Sequence, residues 1–198
     1  MSAAVITPFD VAIGPADIAD LRSRLARTRW TDWLPDTGWS YGTDEAFIKR
    51  LCTYWHDGFD FTAFAARLNA WPQFLAEVEG ERLHFYHVRS PVPPARPLVL
   101  VHGWPGSVVE FLDLIGPLTD PEAHGGHAAD AFHVIVPSLP GYGFSGPTRH
   151  TGVNTHKAGA MIAAVMEALG YPRYFLQGGD WGAIVTSAMA QNYPDRVA

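Results

Sequence analysis

The feature that most constrains the fold is a sharp change from strand-like to helix-like sequence near residue 180. An apolar run from Tyr174 ends at Gln177, and a helix-like run begins near Gly182. Between them, Asp180 is surrounded by the small residues Gly178, Gly179, Gly182 and Ala183. Small residues at this spacing allow a turn so tight that its central residue is held in a strained conformation. The pattern predicts a nucleophile at Asp180, although an ordinary turn in which Asp180 merely caps the helix also fits.

Two further apolar runs predict that this strand belongs to a parallel sheet. The runs LVLV at 98–101 and HVIV at 133–136 are nearly continuous, which is typical of strands buried on both faces. A helix-like segment follows each of them, and strands joined by helices through short links are parallel, with right-handed crossovers. Ligands bind such sheets at the carboxyl ends of the strands. We therefore expect an α/β fold in which HGWPGS at 102–107 and Asp180 face one crevice.

The first 73 residues have a different pattern, with apolar residues at helical spacing. The second of three helical segments has an apolar face formed by Phe47, Leu51, Tyr54 and Trp55. We interpret the aromatic residues of this region as core rather than as a ligand site. Period-two alternation begins near residue 74, where a hairpin is expected to turn at Gly80. The expected organisation is a helical region over 1–73 and an α/β domain over 74–198.

Composition narrows the range of functions. The net charge of −6 favours neither nucleic acid nor an anionic membrane as a partner, and no apolar run is long enough to cross a bilayer. The single cysteine, Cys52, permits no intrachain disulfide, and no signal-peptide pattern is present, so we expect a cytoplasmic protein. His124 and His127 lie near Glu122 and Asp130 in a glycine-rich loop, which favours exposed residues over a metal site. We expect neither a metal nor a cofactor.

The HGWPGS segment predicts a second part of a candidate active site. In this architecture an oxyanion is held by the backbone N–H of the residue after the nucleophile and by another from a strand-to-helix loop. Those donors would be the N–H groups of Trp181 and Trp104. Pro105 fixes the loop and removes a competing donor. Gly103 and His102 are supporting residues, and His102 is expected to shape the oxyanion hole rather than to act as a base.

Three motifs and the N-terminal sequence together carry a family resemblance. The motifs are HGWPGS at 102–107, PSLPGYGFSGPT at 137–148 and QGGDWG at 177–182. With these motifs the sequence resembles the epoxide hydrolases, which implies the N-terminal portion of an α/β-hydrolase fold preceded by a helical region. LRSRLARTRW, WSYG and LNAWPQF are similar to the microsomal and juvenile-hormone branch, which also has soluble bacterial members. Haloalkane dehalogenases share the aspartate and a similar loop, and the N-terminal region separates the two families.

The resemblance implies a two-step hydrolysis of an epoxide. Asp180 would attack an epoxide carbon to form an ester, and a histidine oriented by an acidic residue would activate water to release a vicinal diol. The N–H groups of Trp104 and Trp181 would stabilise the oxyanion of the second step, and two lid tyrosines would polarise the epoxide oxygen in the first. The implied partners are a small apolar epoxide and water, and the implied role is detoxification.

In the family, the lid tyrosines, the acidic residue and the histidine follow the nucleophile helix, whereas this sequence ends at Ala198. We therefore expect the chain alone to behave as a truncated hydrolase, with slow ester formation and no steady turnover. An inactive relative that keeps the fold and a dehalogenase-like hydrolase are the alternatives. The strand that ends at Gln177 would form an open sheet edge, which predicts aggregation or self-association.

Overall fold

The computed structural model describes residues 4–198, which form two compact units. One unit combines the N-terminal segment up to Asp10 with Leu68–Ala198, and the other is Val11–Arg67. The chain therefore contributes a short N-terminal segment to the first unit, continues through the second, and then returns to the first.

A six-stranded mixed sheet forms the centre of the first unit. Its strands are β1 (Val5–Phe9), β2 (Gln73–Val78), β3 (Glu81–Val88), β4 (Arg96–Val101), β5 (Phe132–Pro137) and β6 (Phe175–Gly178). Their spatial order is β1-β2-β3-β5-β4-β6. Strand β2 lies between β1 and β3 and pairs antiparallel with both, and β3 also pairs antiparallel with β5. Strand β4 lies parallel to both β5 and β6. This confirms the predicted hairpin and the three predicted parallel strands, whose carboxyl ends meet at one edge of the sheet.

Three helices complete this unit: α4 (Leu112–Thr119), α5 (Thr155–Ala168) and α6 (Trp181–Asn192). A capping box formed by Ser107 and Glu110 begins the 3-10 turn that leads into α4, as their spacing predicts. The core consists of buried side chains from β2 to β5 together with α5 and α6, among them Val99, Ile135, Met161, Val185 and Met189. No helix within the described range 4–198 is long and apolar enough to cross a membrane.

The strand β1 lies inside the region that sequence periodicity predicts to be helical. Its five residues are VITPF, and a proline within such a run argues against a strand. In the structure β1 occupies the edge of the sheet and pairs with β2, with Pro8 opposite Phe74. Proline is tolerated on an edge strand because a missing N–H group there need not break a ladder hydrogen bond. Position in the sheet, which local sequence does not encode, therefore explains the difference.

The second unit contains α1 (Pro15–Ala26), α2 (Glu45–Asp57) and most of α3 (Phe61–Leu68). The sequence pattern predicts that the apolar face of α2 is core, and this prediction is wrong, because its side chains are exposed. Phe47 is 39% exposed, Leu51 45%, Tyr54 56% and Trp55 44%. Helical periodicity identifies an apolar face, but burial also requires a second layer of structure against that face. The aromatic rings instead contact one another locally, as Trp39 and Phe47 do with ring centres 5.1 Å apart.

Candidate active site

The turn between β6 and α6 holds Asp180 in an unusual conformation. Its backbone φ is 52° and its ψ is −125°, a region that residues other than glycine rarely occupy. Asp180 stands at the N-cap position of α6, but its side chain makes no capping hydrogen bond. Instead, its Oδ1 atom accepts a hydrogen bond from the backbone N–H of Trp104, with the two atoms 2.8 Å apart. The carboxylate therefore faces the loop after β4 and does not serve as an ordinary helix cap.

Close backbone packing explains three of the glycines around Asp180. A Cβ atom at Gly178 would collide with the backbone of Gly182, and one at Gly182 would collide with the carbonyl oxygen of Val101 in β4. A Cβ atom at Gly103 would lie 2.5 Å from Cβ and Oδ1 of Asp180. These glycines let the elbow, the neighbouring strand and the loop after it approach one another.

Gly179 differs from these three glycines. A Cβ atom at this position would meet no other atom within 4 Å, and its φ lies outside the positive range. The sequence pattern groups Gly179 with the small residues that the tight turn requires, and the structure corrects this, because a Cβ atom at residue 179 has room.

The backbone donors predicted from the sequence come together at the carboxylate. The N–H groups of Trp104 and, to a lesser extent, Trp181 lower the pKa of Asp180, because they stabilise its ionised form, while a smaller desolvation effect opposes them. The bond between Trp104 and Pro105 is a cis peptide. Both indole rings remain exposed, at 67% for Trp104 and 47% for Trp181. Both residues therefore present a backbone donor to Asp180 while their side chains stay at the surface.

His102 is buried and fixes the peptide group that carries one of these donors. The backbone N–H of Leu139 donates to its Nε2 at 3.0 Å, so the ring proton lies on Nδ1, which donates to the carbonyl oxygen of Gly103 at 3.0 Å. That carbonyl and the N–H of Trp104 belong to the same peptide group. Burial lowers the pKa of His102, which favours the neutral ring that this pair of hydrogen bonds requires.

A buried network supports the loop that contains Leu139. His84 on β3 donates from Nε2 to Oε1 of Gln73 at 2.9 Å and accepts at Nδ1 from the hydroxyl of Ser138 at 2.8 Å. The hydroxyl of Ser145 donates to the carbonyl oxygen of Ser138 at 2.7 Å and accepts from the backbone N–H of His84 at 3.0 Å. Burial lowers the pKa of His84 to about 4. Sequence reasoning missed this network, and the two serines that flank PGYG were the available signal.

The described residues contain no cluster of side chains that suggests a metal site. Within residues 4–198, no group of three or more histidine, cysteine, aspartate or glutamate side chains could hold a metal ion. His124 and His127 are exposed in the loop between α4 and β5. The polar groups that converge on one point at the carboxyl edge of the parallel strands are therefore Asp180 and its two backbone donors.

Comparison with known proteins agrees with this geometry. The family model described as "Epoxide hydrolase N terminus" matches residues 6–111, and the model described as "alpha/beta hydrolase fold" matches residues 96–198. The chain belongs to the epoxide hydrolase family. Epoxide hydrolase 1 of Oryctolagus cuniculus is 41% identical to this family member over 196 residues, which cover 97% of this chain and 43% of the relative. Juvenile hormone epoxide hydrolase 1 of Ctenocephalides felis is 33% identical over 195 residues, which cover 97% of this chain and 41% of the relative.

Solved structures of epoxide hydrolases share the fold. The juvenile hormone epoxide hydrolase from the silkworm Bombyx mori has a TM-score of 0.86 and 33% identity, over 98% of this chain and 51% of that one. The Aspergillus niger epoxide hydrolase has a TM-score of 0.84 and 30% identity, and the match covers 98% of this chain and 50% of that one. The expected α/β-hydrolase fold and family are thus confirmed. The chain spans less than half of the length of these curated relatives.

Proposed function

We propose that Asp180 opens an epoxide by forming a covalent ester, which water then hydrolyses to a vicinal diol. The observation that carries this proposal is the position of the carboxylate, whose Oδ1 lies 2.8 Å from the backbone nitrogen of Trp104. The lowered pKa of Asp180 keeps the carboxylate ionised at neutral pH, so it can attack without a base to activate it. The positive φ value belongs to the strained turn that carries Asp180, and the hydrogen bond from Trp104 orients the carboxylate.

The two carboxylate oxygens would have different roles. In the first step Oδ2 attacks a ring carbon, the carbon–oxygen bond of the epoxide breaks, and the ring oxygen takes a proton from a donor, which the family resemblance assigns to lid tyrosines. In the second step water attacks the carbonyl carbon of the ester, and negative charge develops on Oδ1. The N–H groups of Trp104 and Trp181 already face the carboxylate and would stabilise that charge. A general base takes a proton from the water, the bond between Cγ and Oδ2 breaks as the intermediate collapses, and that proton passes to the leaving oxygen, which becomes a hydroxyl of the diol.

In this mechanism His102 is a positioning residue. Its Nδ1–H holds the carbonyl oxygen of Gly103, and this fixes the plane in which the adjacent N–H of Trp104 points at Asp180. Both ring nitrogens already have partners, since Nε2 accepts from Leu139. The ring would have to give up one of these hydrogen bonds before it could take a proton from water. Its support for the oxyanion hole is therefore the function that its contacts favour.

We propose that the base for the second step comes from outside residues 1–198. The buried histidines have other partners, because His84 bonds Gln73 and Ser138, and His87 bonds the hydroxyl of Tyr171. Burial also lowers the pKa of both to about 4, which makes them weak bases. Loss of a general base costs roughly 10²–10⁴-fold in rate. The chain alone should therefore form an ester on Asp180 that persists.

Mass spectrometry after incubation with styrene oxide tests this proposal. We expect one adduct per chain, a peptide map that locates it at Asp180, and no adduct in Asp180→Asn after incubations short enough to exclude hydrolysis of the amide. Sustained diol release by the purified chain would show that a base lies within it. Faster esterification by 1-bromobutane than by the epoxide would favour a dehalogenase-like enzyme. No reaction with either compound, together with a stable fold, would favour an inactive relative.

We also propose that the chain self-associates through the outer edge of β6. The strand β6 is last in the spatial order of the sheet, and on its outer side the described chain makes one bridge, between Tyr174 and Val197. The remaining backbone groups of an edge strand can pair with a second chain. Light scattering tests this, and a monomer at high concentration would contradict it.

A further inference from the structure

A cavity of about 330 Å³ opens beside the elbow. Three segments contribute its walls: the loop after β5, the start of α5 with the residues before it, and the first turns of α6. The wall residues include Leu139, Tyr142, Val153, Ala158, Trp181 and Val185. All of them belong to the unit that contains the sheet.

The cavity is apolar. None of its lining residues carries a charge, and the side chains of Leu139, Ala158 and Val185 are almost fully buried. Asn154 also contributes to the lining, but its Oδ1 already accepts a hydrogen bond from the backbone N–H of Lys157 at 3.0 Å, as the N-cap of α5. A ligand in this space would therefore gain from removing apolar surface from water and would find few polar partners.

Two wall residues connect the cavity to the reacting groups. Trp181 directly follows Asp180, and its backbone N–H contributes to the lowered pKa of that carboxyl. The ring of Tyr142 packs edge-on against His102, with ring centres 5.4 Å apart, and His102 in turn holds the peptide of Trp104. The cavity and the candidate oxyanion hole therefore share structural elements on two sides, so a molecule in the cavity lies next to the elbow.

We propose that this cavity receives the apolar substituent of the epoxide, and that Ala158 and Val153 set its size limit. The inference rests on the proposed function and adds the location and the shape of the substrate group. A dry cavity of roughly 150 Å³ holds benzene. A space of about 330 Å³ therefore accommodates a ring with a further branch. The substrate class that fits is an epoxide with a compact cyclic or branched hydrocarbon substituent.

Binding of an inert probe tests the cavity separately from the chemistry. The probe is 1-ethyl-4-fluorobenzene, which has no epoxide, and ¹⁹F NMR titration of the chain measures its affinity. Ala158→Leu adds three carbons to the wall and should weaken binding about 10-fold or more. Ala168→Leu is the matched control, because residue 168 lies exposed at the other end of the same helix and should leave affinity unchanged. Val153→Phe, from the loop before α5, fills the space without altering helix packing and should act like Ala158→Leu.

Ester formation provides the second measurement. Wild type should react faster with styrene oxide than with propylene oxide, and Ala158→Leu or Val153→Phe should lower that ratio about 10-fold, unlike Ala168→Leu. Failure of wild type to bind the probe, or equal binding by all variants, would overturn the inference. Saturable probe binding that Val153→Phe abolishes, with no ester from any epoxide, would instead refute the proposed chemistry and leave the cavity assignment supported.

Discussion

Replacement of Gly103 by alanine tests whether the position of the Asp180 carboxylate controls ester formation. The added Cβ would lie 2.5 Å from Cβ and Oδ1 of Asp180. Ordinary contact begins at 3.4 Å, so the carboxylate and the loop must separate by about 0.9 Å. The hydrogen bond from Trp104 to Oδ1 is 2.8 Å long, and it cannot keep its geometry through a movement of that size.

We expect Gly103→Ala to slow ester formation by about 100-fold. A displacement of ~1 Å in a reacting group typically costs that much in rate. The pKa of Asp180 should also rise toward its ordinary value, because the N–H of Trp104 is the largest cause of its lowering. Thermal stability should change less than in a core substitution, since the collision is with Cβ and Oδ1 of Asp180, an exposed residue, rather than with the core.

Two neighbouring glycines provide matched controls for the same substitution. Gly179→Ala introduces a Cβ with no atom within 4 Å, so the rate of ester formation and the melting temperature should both match wild type. Gly182→Ala places a Cβ against the carbonyl oxygen of Val101, which cannot move without disturbing β4, so it should lower the melting temperature.

The assay combines the rate of adduct formation with styrene oxide, ¹³C NMR titration of the Asp180 carboxyl group, and calorimetry. Equal adduct rates and equal Asp180 pKa values in Gly103→Ala and Gly179→Ala would refute the claim that contact with residue 103 fixes the carboxylate. Equal melting temperatures in Gly182→Ala and wild type would show that β4 and α6 can separate without cost.

Three further predictions follow from the hydrogen bonds and the sheet order. His102→Phe keeps a ring but leaves the carbonyl oxygen of Gly103 and the N–H of Leu139 without their partner, so ester formation should slow about 10-fold or more and the melting temperature should also fall; an unchanged rate would remove the positioning role. His84 has a pKa of about 4 when folded and about 6.5 when unfolded, so His84 alone should lower the unfolding free energy by about 3 kcal/mol as pH drops from 6.5 to 4. Denaturant titrations should show a weaker pH dependence in His84→Gln, and an identical profile would contradict this assignment. Gln177→Lys places a charge on the β6 edge and should reduce the mass measured by light scattering, whereas unchanged association would place the contact elsewhere.

Local sequence predicted the parallel strands and the turn that holds Asp180 because the constraints there act over a few residues. A continuous apolar run predicts a buried strand, and the 107–110 capping box predicts a helix start, as both do here. The positive φ of Asp180 agrees with the small residues around it. By contrast, the role of Gly179 depended on which direction its Cβ would face, which residue spacing does not determine.

Features that depend on distant residues were not predicted. The bonds of His84 to Ser138 and Ser145 join positions more than fifty residues apart, and neither partner indicates the other in the sequence. The exposed face of α2 and the edge strand β1 likewise depend on which layer lies beside them. Periodicity reports which side of an element is apolar, and the topology decides whether anything covers that side.

Because the donors at residues 104 and 181 are main-chain groups, their function does not depend on tryptophan. Every amino acid except proline would offer the same N–H at either position. The two indole rings can therefore be exchanged without removing a donor, and the ring at 181 also forms a wall of the cavity. Under the proposed function, substrate preference and the stabilisation of charge are thus separately adjustable at residue 181. Libraries that vary this side chain could alter selectivity while the backbone that holds Asp180 stays constant.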